Sequence, residues 1–299
     1  MKKSITILML VFLITSIPVT MAQPPPAANL DQVRNGPMGS PISPGNWVNG
    51  NLNPSQSHYI EGYSVPYRVI MTNLPTDGTV ITLTIGYDIK HSDKHALDYL
   101  THYDRIDTPA HTGVFGHSAE TIDPLIGVSG VSGTTTTWAI PAPSSTSSPV
   151  AGQPTDSFND LPAGKREITL FGGTISNVAY NVEGDLTAAM SETRVDITFT
   201  VDSATAVLAW GGHIASRDDW GFDGGDPMSA GGISGSPYHM RLIDWNLNNL
   251  GNQDRSLQVE YGPDFVIPES PLGTIGTLLM FLAAIGAFLY MKRSPILLK

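Results

Sequence analysis

The stretch from Gly78 to Lys90 leaves this chain few ways to fold. Ile81, Leu83, Ile85, Tyr87 and Ile89 alternate with Thr82, Thr84, Gly86 and Asp88. A period of two, rich in β-branched residues, puts the apolar side chains on one face of a strand and leaves the other face wet. Arg194 to Val201 repeats the pattern, with Val195, Ile197, Phe199 and Val201 facing inward. Weaker strands are expected at Tyr63–Asn73, Glu167–Phe171, Thr174–Val182, Thr205–Ile214, Tyr238–Leu247 and Arg255–Tyr261, parted by clusters of Gly, Pro, Asn and Asp. Pro66 lacks the N–H a ladder needs, so it makes the first of these an edge strand or splits it. Many short strands without alternating helices predict an all-β fold, an antiparallel β-sandwich. One short helix is expected, capped by Asp93 and apolar along Ala96, Leu97, Leu100 and Tyr103.

The two ends read differently. Residues 1–22 have the form of a secretory signal peptide, with Lys2 and Lys3 ahead of an apolar stretch and Thr20-Met21-Ala22 at its close. Residues 272–291 form an uncharged apolar run, followed at once by Lys292 and Arg293. About 20 such residues suffice to cross ~30 Å of hydrocarbon. Basic residues stay inside, so 292–299 is expected to be a cytoplasmic tail and the rest to lie outside. Between the ends, 23–46 reads as a Pro/Gly-rich lead-in and 47–262 as one β-sandwich ectodomain. Within it, 129–163 is a low-complexity loop, and 263–271 is a stalk. The expected localisation is the cell surface, anchored by the C-terminal transmembrane helix.

Charge and cysteine narrow the partners. Five of the 16 basic residues sit in the ends and all 27 acidic residues lie between them, leaving eleven against 27, a net of −16. Such a surface repels nucleic acid and attracts cations. With no cysteine, an exported chain must stabilise itself by its core or by a bound ion.

No nucleophile elbow, phosphate-binding loop, dinucleotide fingerprint or H-E-x-x-H motif occurs. His91 and His95 are four apart, a spacing that can serve zinc on a helix, but Asp93 as helix cap leaves His91 outside it and favours a solvated helix start. Asp218, Asp219, Asp223 and Asp226 put four carboxylates in a glycine-rich stretch. Short acids on a bending backbone suit calcium, which takes six to eight oxygens. A polar turn is the alternative. Trp210, in an apolar run, is expected in the core. Trp220, beside the acidic loop, is the tryptophan expected at the surface as a ligand contact.

Several segments resemble uncharacterised exported proteins that share interchangeable C-terminal sorting tails: Lys94-His95-Ala96-Leu97-Asp98-Tyr99-Leu100-Thr101, Trp210-Gly211-Gly212-His213, Ser234-Gly235-Ser236-Pro237-Tyr238-His239-Met240-Arg241 and Gly251-Asn252-Gln253-Asp254-Arg255. His213, Arg217, His239, Arg241, Asp254 and Arg255 recur there as a candidate polar network. The tail Ile267-Pro268-Glu269-Ser270-Pro271, then the apolar run and basic pair, is similar to PEP-CTERM tails read by exosortases and archaeosortases, with Ser270 at the third motif position. The resemblance implies cleavage after Pro268-Glu269, with signal peptidase and a sorting enzyme as partners. The expected function is structural, adhesive or matrix-building, non-enzymatic, toward an envelope glycan or protein. The alternatives are a surface polysaccharide-active enzyme and a calcium-stabilised carbohydrate-binding module.

Overall fold

The computed structural model describes residues 24–105, 110–235, 238–251 and 253–259. The signal stretch 1–22, Pro268, Glu269 and the apolar run 272–291 lie outside them. Among the described residues no helix is long and apolar enough to cross a membrane.

In chain order the elements begin with β1 (Ala27–Arg34), β2 (Asn46–Val48), β3 (Ser64–Thr72), β4 (Ile81–His91), β5 (Lys94–His95) and β6 (Leu97–Thr101). Then come α1 (Ala110–Phe115), β7 (Thr135–Ala139), α2 (Thr155–Asp160), β8 (Glu167–Phe171), β9 (Gly173–Val182), β10 (Ser191–Val201) and β11 (Thr205–Ile214). The last are α3 (Arg217–Trp220), β12 (Phe222–Asp223), β13 (Asp226–Pro227), β14 (Tyr238–Trp245) and β15 (Gln253–Leu257). One sheet runs β2-β1-β3-β11-β8-β7, with β6 joined to the distal half of β11. The other runs β15-β14-β4-β10-β9, with β5 folded back on the end of β4. The ladders of both sheets are antiparallel. This is an antiparallel β-sandwich.

The core lies between the sheets and follows the alternation. Ile81, Leu83, Ile85 and Tyr87 of β4 and Val195, Ile197 and Phe199 of β10 are buried on one side. Opposite them the ladder pairs Tyr67 with Trp210, Val69 with Leu208 and Met71 with Ala206, all buried. Each such side chain contributes about 1.5–3 kcal/mol relative to exposure.

The first sheet is buried on its outer face too. Arg68, on the outer face of β3, donates its Nε–H to Asp31 Oδ2 at 3.0 Å. Its Nη1 donates to the carbonyls of Pro124 (2.7 Å) and Ile126 (2.8 Å), and its guanidinium lies over Trp47. One buried guanidinium thereby straps the 120s segment across the sheet. Its charge is paired, as a buried cation requires.

Four expectations are corrected. The helix after Asp93 is a hairpin: Ser92 (φ 52°) and Asp93 (φ 63°) both take left-handed conformations between β4 and β5, the backbone of a tight two-residue turn. Ala96, Leu97 and Leu100 mimic helical spacing, but Leu97–Thr101 is buried along its whole length and pairs with β11. A strand buried on both faces loses its alternation. Pro66 sits in an inner strand, yet β1 pairs with β3 only as far as Tyr67, so the proline lies where that ladder has ended. The lead-in 23–46 contains β1, which carries little apolar alternation. Its Gln32 side chain instead donates to the carbonyls of Gly50 (2.7 Å) and Ser256 (3.0 Å). The low-complexity stretch 129–163 contains β7 and α2. Its threonine run is an edge strand, for which β-branched residues are suited.

Candidate metal centre

The covered outer face carries a cluster that the sequence reading did not assemble. His58 enters from the 49–63 connection between β2 and β3. His111 comes from α1, His117 from the turn after it, and Glu120 from the strapped segment. Each offers a ligand atom, and those atoms all lie within 4.8 Å of one another. Glu120 Oε1 is 3.2 Å from His58 Nε2, 3.7 Å from His111 Nε2 and 3.5 Å from His117 Nδ1. Four ligands at ~2.0–2.1 Å around one tetrahedral ion stand roughly 3.3–3.4 Å apart. The three distances from Glu120 bracket that value, and the other ligand atoms lie within 4.8 Å of one another.

The surroundings fix the imidazoles for ligation. His58 Nδ1 lies 2.7 Å from the Gly36 carbonyl, so Nδ1 carries the proton, and Nε2 faces Asn35 Nδ2 at 3.4 Å and Glu120 Oε1 at 3.2 Å. Gly36 (φ +82°) is needed here, because a Cβ would lie 2.4 Å from the Ser40 carbonyl oxygen. The neighbouring Asn35 accepts the His58 backbone N–H at 3.1 Å and donates to Glu120 Oε2 at 3.3 Å. Phe115 packs edge-on against His58 and His111, and Tyr63 stacks on His111.

Three buried atoms of the cluster lack geometric hydrogen-bond partners: His111 Nε2, His117 Nε2 and Glu120 Oε1, the last lying 3.2 Å from His58 Nε2 as an ion-pair contact. At ~1–3 kcal/mol each, leaving them so costs a large part of the ~5–15 kcal/mol that holds a domain together. A dipositive ion bound through His111 Nε2 and Glu120 Oε1 would satisfy those two; His117 faces Glu120 with Nδ1, which also lies 2.9 Å from the Ser118 carbonyl. Burial pushes the His111 imidazole down. Burial pushes His58 down as well, but Glu120 and the Gly36 carbonyl outweigh it and hold His58 above its ordinary value. Burial pushes Glu120 up, but His58 outweighs it and keeps the carboxyl below its ordinary value.

A second group, Asp98, His213 and Asp219, also lies within ligand range. Its atoms are engaged. Asp98 Oδ1 accepts the Trp220 indole N–H at 2.7 Å, Asp98 Oδ2 lies 3.0 Å from His213 Nδ1, and Asp219 Oδ2 accepts from Ser216 Oγ. Burial lifts Asp98 to about 8 and depresses His213 to about 3. Hydrogen bonds to Trp220 and Ser216 and the Asp98–His213 contact occupy these atoms.

The acidic loop is split. Asp219 turns inward to that pair, while Asp218, Asp223 and Asp226 are exposed. Asp223 and Asp226 face each other across the β12–β13 hairpin, whose turn uses Gly224 (φ 57°) and Gly225 (φ 98°). The surface position expected for Trp220 is corrected: the side chain is 1 % exposed and stacks on His95. Its indole N–H needs a buried acceptor, and Asp98 supplies it. Trp210 is fully buried. His91 and His95 are separated, His91 half-buried and His95 buried. The resemblance-derived polar residues divide into local sets: His239 and Arg241 meet Asp254, Arg241 also meets Asp88 and Glu192, and Arg217 meets Glu61.

His111, His117 and Glu120 fall within ten residues, a local signal legible in the sequence. His58 lies far upstream, and only the fold joins it to them. The chain matches no protein-family model, no curated protein and no solved structure.

Proposed function

We propose that this chain is an exported, surface-held β-sandwich whose functional element is a divalent transition-metal centre at His58, His111, His117 and Glu120. The convergence of three imidazoles and one carboxylate with buried, unpartnered ligand atoms carries the reading. A nitrogen-and-oxygen donor set suits first-row divalent ions. It also suits an oxidising exterior, since the chain has no thiolate to lose. The signal stretch, the tail with Pro268 and Glu269 and the basic pair support export and sorting. A cell-surface structural or adhesive role is compatible with the metal centre as its stabilising element.

Metal content of the purified full-length chain tests the reading. One equivalent of a transition ion per chain is expected after exposure to zinc, manganese, iron, cobalt or nickel salts and gel filtration. The double variant His111→Ala/Glu120→Ala should retain none. Retention by the variant equal to that of the wild type, or no retention by the wild type, rejects the centre. Intact mass of the envelope-derived protein tests the sorting claim separately: loss of 272–291 supports it, and a mass that retains the run removes it.

A further inference from the structure

We infer that this chain pairs with a second copy of itself through the flank of the sandwich where β7 and β9 end the two sheets, the copies joining strand to strand along Thr135–Ala139 about a twofold axis. The inference does not depend on the metal centre.

The first argument compares the four strands that end the sheets. An exposed edge invites another strand, and proteins protect their edges by shortness, bulges, charge, proline or cover. β2 is three residues long. β15 is covered from the connection between β2 and β3: the Leu52 N–H donates to the Ser256 carbonyl at 3.0 Å, and the Leu52 carbonyl accepts the Gln258 N–H at 3.1 Å. β9 carries two register shifts against β10. Its first residues are also occupied, the Gly173 N–H donating to the Thr134 carbonyl at 3.0 Å and the Ile175 N–H to Thr136 Oγ1 at 3.1 Å. β7 has none of these devices. Thr135-Thr136-Thr137-Trp138-Ala139 holds no charge and no proline, and its ladder with β8 runs without a shift.

Backbone direction is the second argument. The Gly172 N–H donates to the Thr134 carbonyl at 2.8 Å, and the Ile140 N–H donates to the Arg166 carbonyl at 2.8 Å. Even-numbered residues of this strand therefore face β8. In an antiparallel pair the residues between them turn their N–H and C=O groups the other way. Thr135, Thr137 and Ala139 present those groups outward, and all three residues are exposed. Among the described residues none bonds to them.

Charge is the third. Residues 124–155 and 168–182 contain no charged side chain. They supply β7 and β9, so both layers of the sandwich end at a neutral flank. Elsewhere two copies of a chain with net charge −11 repel each other. Interface cores are depleted of charge and anchored by aromatic residues. Of the five tryptophans Trp138 alone is exposed, at 38 %. Alternation puts its side chain on the same side as that of Thr136, which bonds to β9. A twofold pairing sets Thr137 opposite Thr137 of the second copy and Trp138 opposite Thr136, an aromatic side chain against a β-branched one. The surface is self-complementary, as a twofold contact requires.

Sedimentation of the full-length chain in mild detergent, over rising concentration, tests the pairing. The wild type should approach twice the mass of one chain. Thr137→Lys places two like charges about 5.5 Å apart at the axis and should sediment as a single chain, with an unchanged far-ultraviolet circular dichroism spectrum verifying its fold. The chain has no cysteine, so Thr137→Cys gives a single reporter. A short bis-maleimide should link it into a covalent dimer and should leave Asp226→Cys, on the exposed hairpin, unlinked. A wild type of single-chain mass at every concentration overturns the inference. So does a doubled mass that survives Thr137→Lys, or equal linking of both cysteine variants. Retention of a single-chain species by a neutral polysaccharide, lost in Trp138→Ala, would assign the flank to a glycan and overturn the pairing as well.

Discussion

Asn35 touches both the backbone of His58 and the carboxylate of Glu120: its Oδ1 accepts the His58 N–H at 3.1 Å, and its Nδ2 donates to Glu120 Oε2 at 3.3 Å. One side chain at the end of β1 thus sets the approach of two ligands that arrive from different segments. Such outer partners typically govern metal affinity by 10–100-fold. Asn35→Ala should weaken metal binding by about that factor, read by competition with a chromophoric chelator. Unaltered affinity in Asn35→Ala would mean the ligands orient themselves.

Metal binding should stabilise the fold, because the ligands converge only in the folded chain. At a hundredfold excess over Kd the gain is about 2.7 kcal/mol, or roughly 5–11 °C in Tm for a domain of this size. Chelator should reverse it, and His111→Ala should remove it. The acidic loop is resolved by the same assay. A shift specific to calcium over magnesium, lost in Asp223→Asn/Asp226→Asn but kept in His111→Ala, would assign calcium to the 218–226 loop. A transition-ion shift that survives His111→Ala would count against the histidine centre.

The Asp98–His213 pair predicts a pH profile in the metal-free protein. Asp98 is raised by burial from 3.8 to about 8, so its contribution is present below 3.8 and is lost as pH rises toward 8. His213 is lowered by burial from 6.5 to about 3, so its contribution is present above 6.5 and is lost as pH falls toward 3. Between 3.8 and 6.5 the folded and unfolded pair bind the same number of protons, and stability is flat. Above 6.5 the folded pair still holds a proton that the unfolded chain has lost, and stability falls until about 8, by on the order of 2 kcal/mol. Asp98→Asn keeps an acceptor for Trp220 and cannot titrate. Chemical denaturation across pH 6–9 should show the alkaline loss in the wild type and not in the variant; equal slopes would refute the shared proton.

Hairpin and helix at 91–95 respond oppositely to one change. Ser92 and Asp93 hold positive φ, which Asn and Gly tolerate at less cost. Ser92→Asn/Asp93→Gly should stabilise by up to about 1 kcal/mol, relief of left-handed backbone strain outweighing the entropy that glycine adds to the unfolded chain. In a helix, glycine would destabilise by about as much. The sign of the change in denaturation midpoint decides between them.

The strands most legible in the sequence, β4 and β10, have one face in the core, although β11, buried nearly throughout, is legible too. β4 and β10 alternate because their other faces stay partly wet, and β8, β9 and β11 fell close to their expected limits. The misread segments obey a different rule. β6 is buried on both sides and imitates a helix in its spacing. β1 is held by Gln32 and by cross-strand Asp31–Arg68 rather than by alternating apolar residues. Of the proposed metal site, the part contributed by His58 was hidden for a related reason. His58 sits far from the other three in the chain, and the carbonyl of Gly36 and the amide of Asn35 that aim the site have no local pattern at all. Trp220 looked like a surface residue from its acidic neighbours, but its indole answers to Asp98, a residue more than a hundred positions away.

The arginine strap gives the molecule a separable wrapper. Arg68 clamps one stretch of the covering segment through the Pro124 and Ile126 carbonyls, and an ion at the proposed histidine site would clamp another. Between the sheets, the packed interior is built chiefly from the strands' own apolar side chains. Stripping the ion should therefore unbutton the wrapper near His111 and His117 while the sandwich beneath keeps its shape, making metal supply a control on what the outer face of this protein displays.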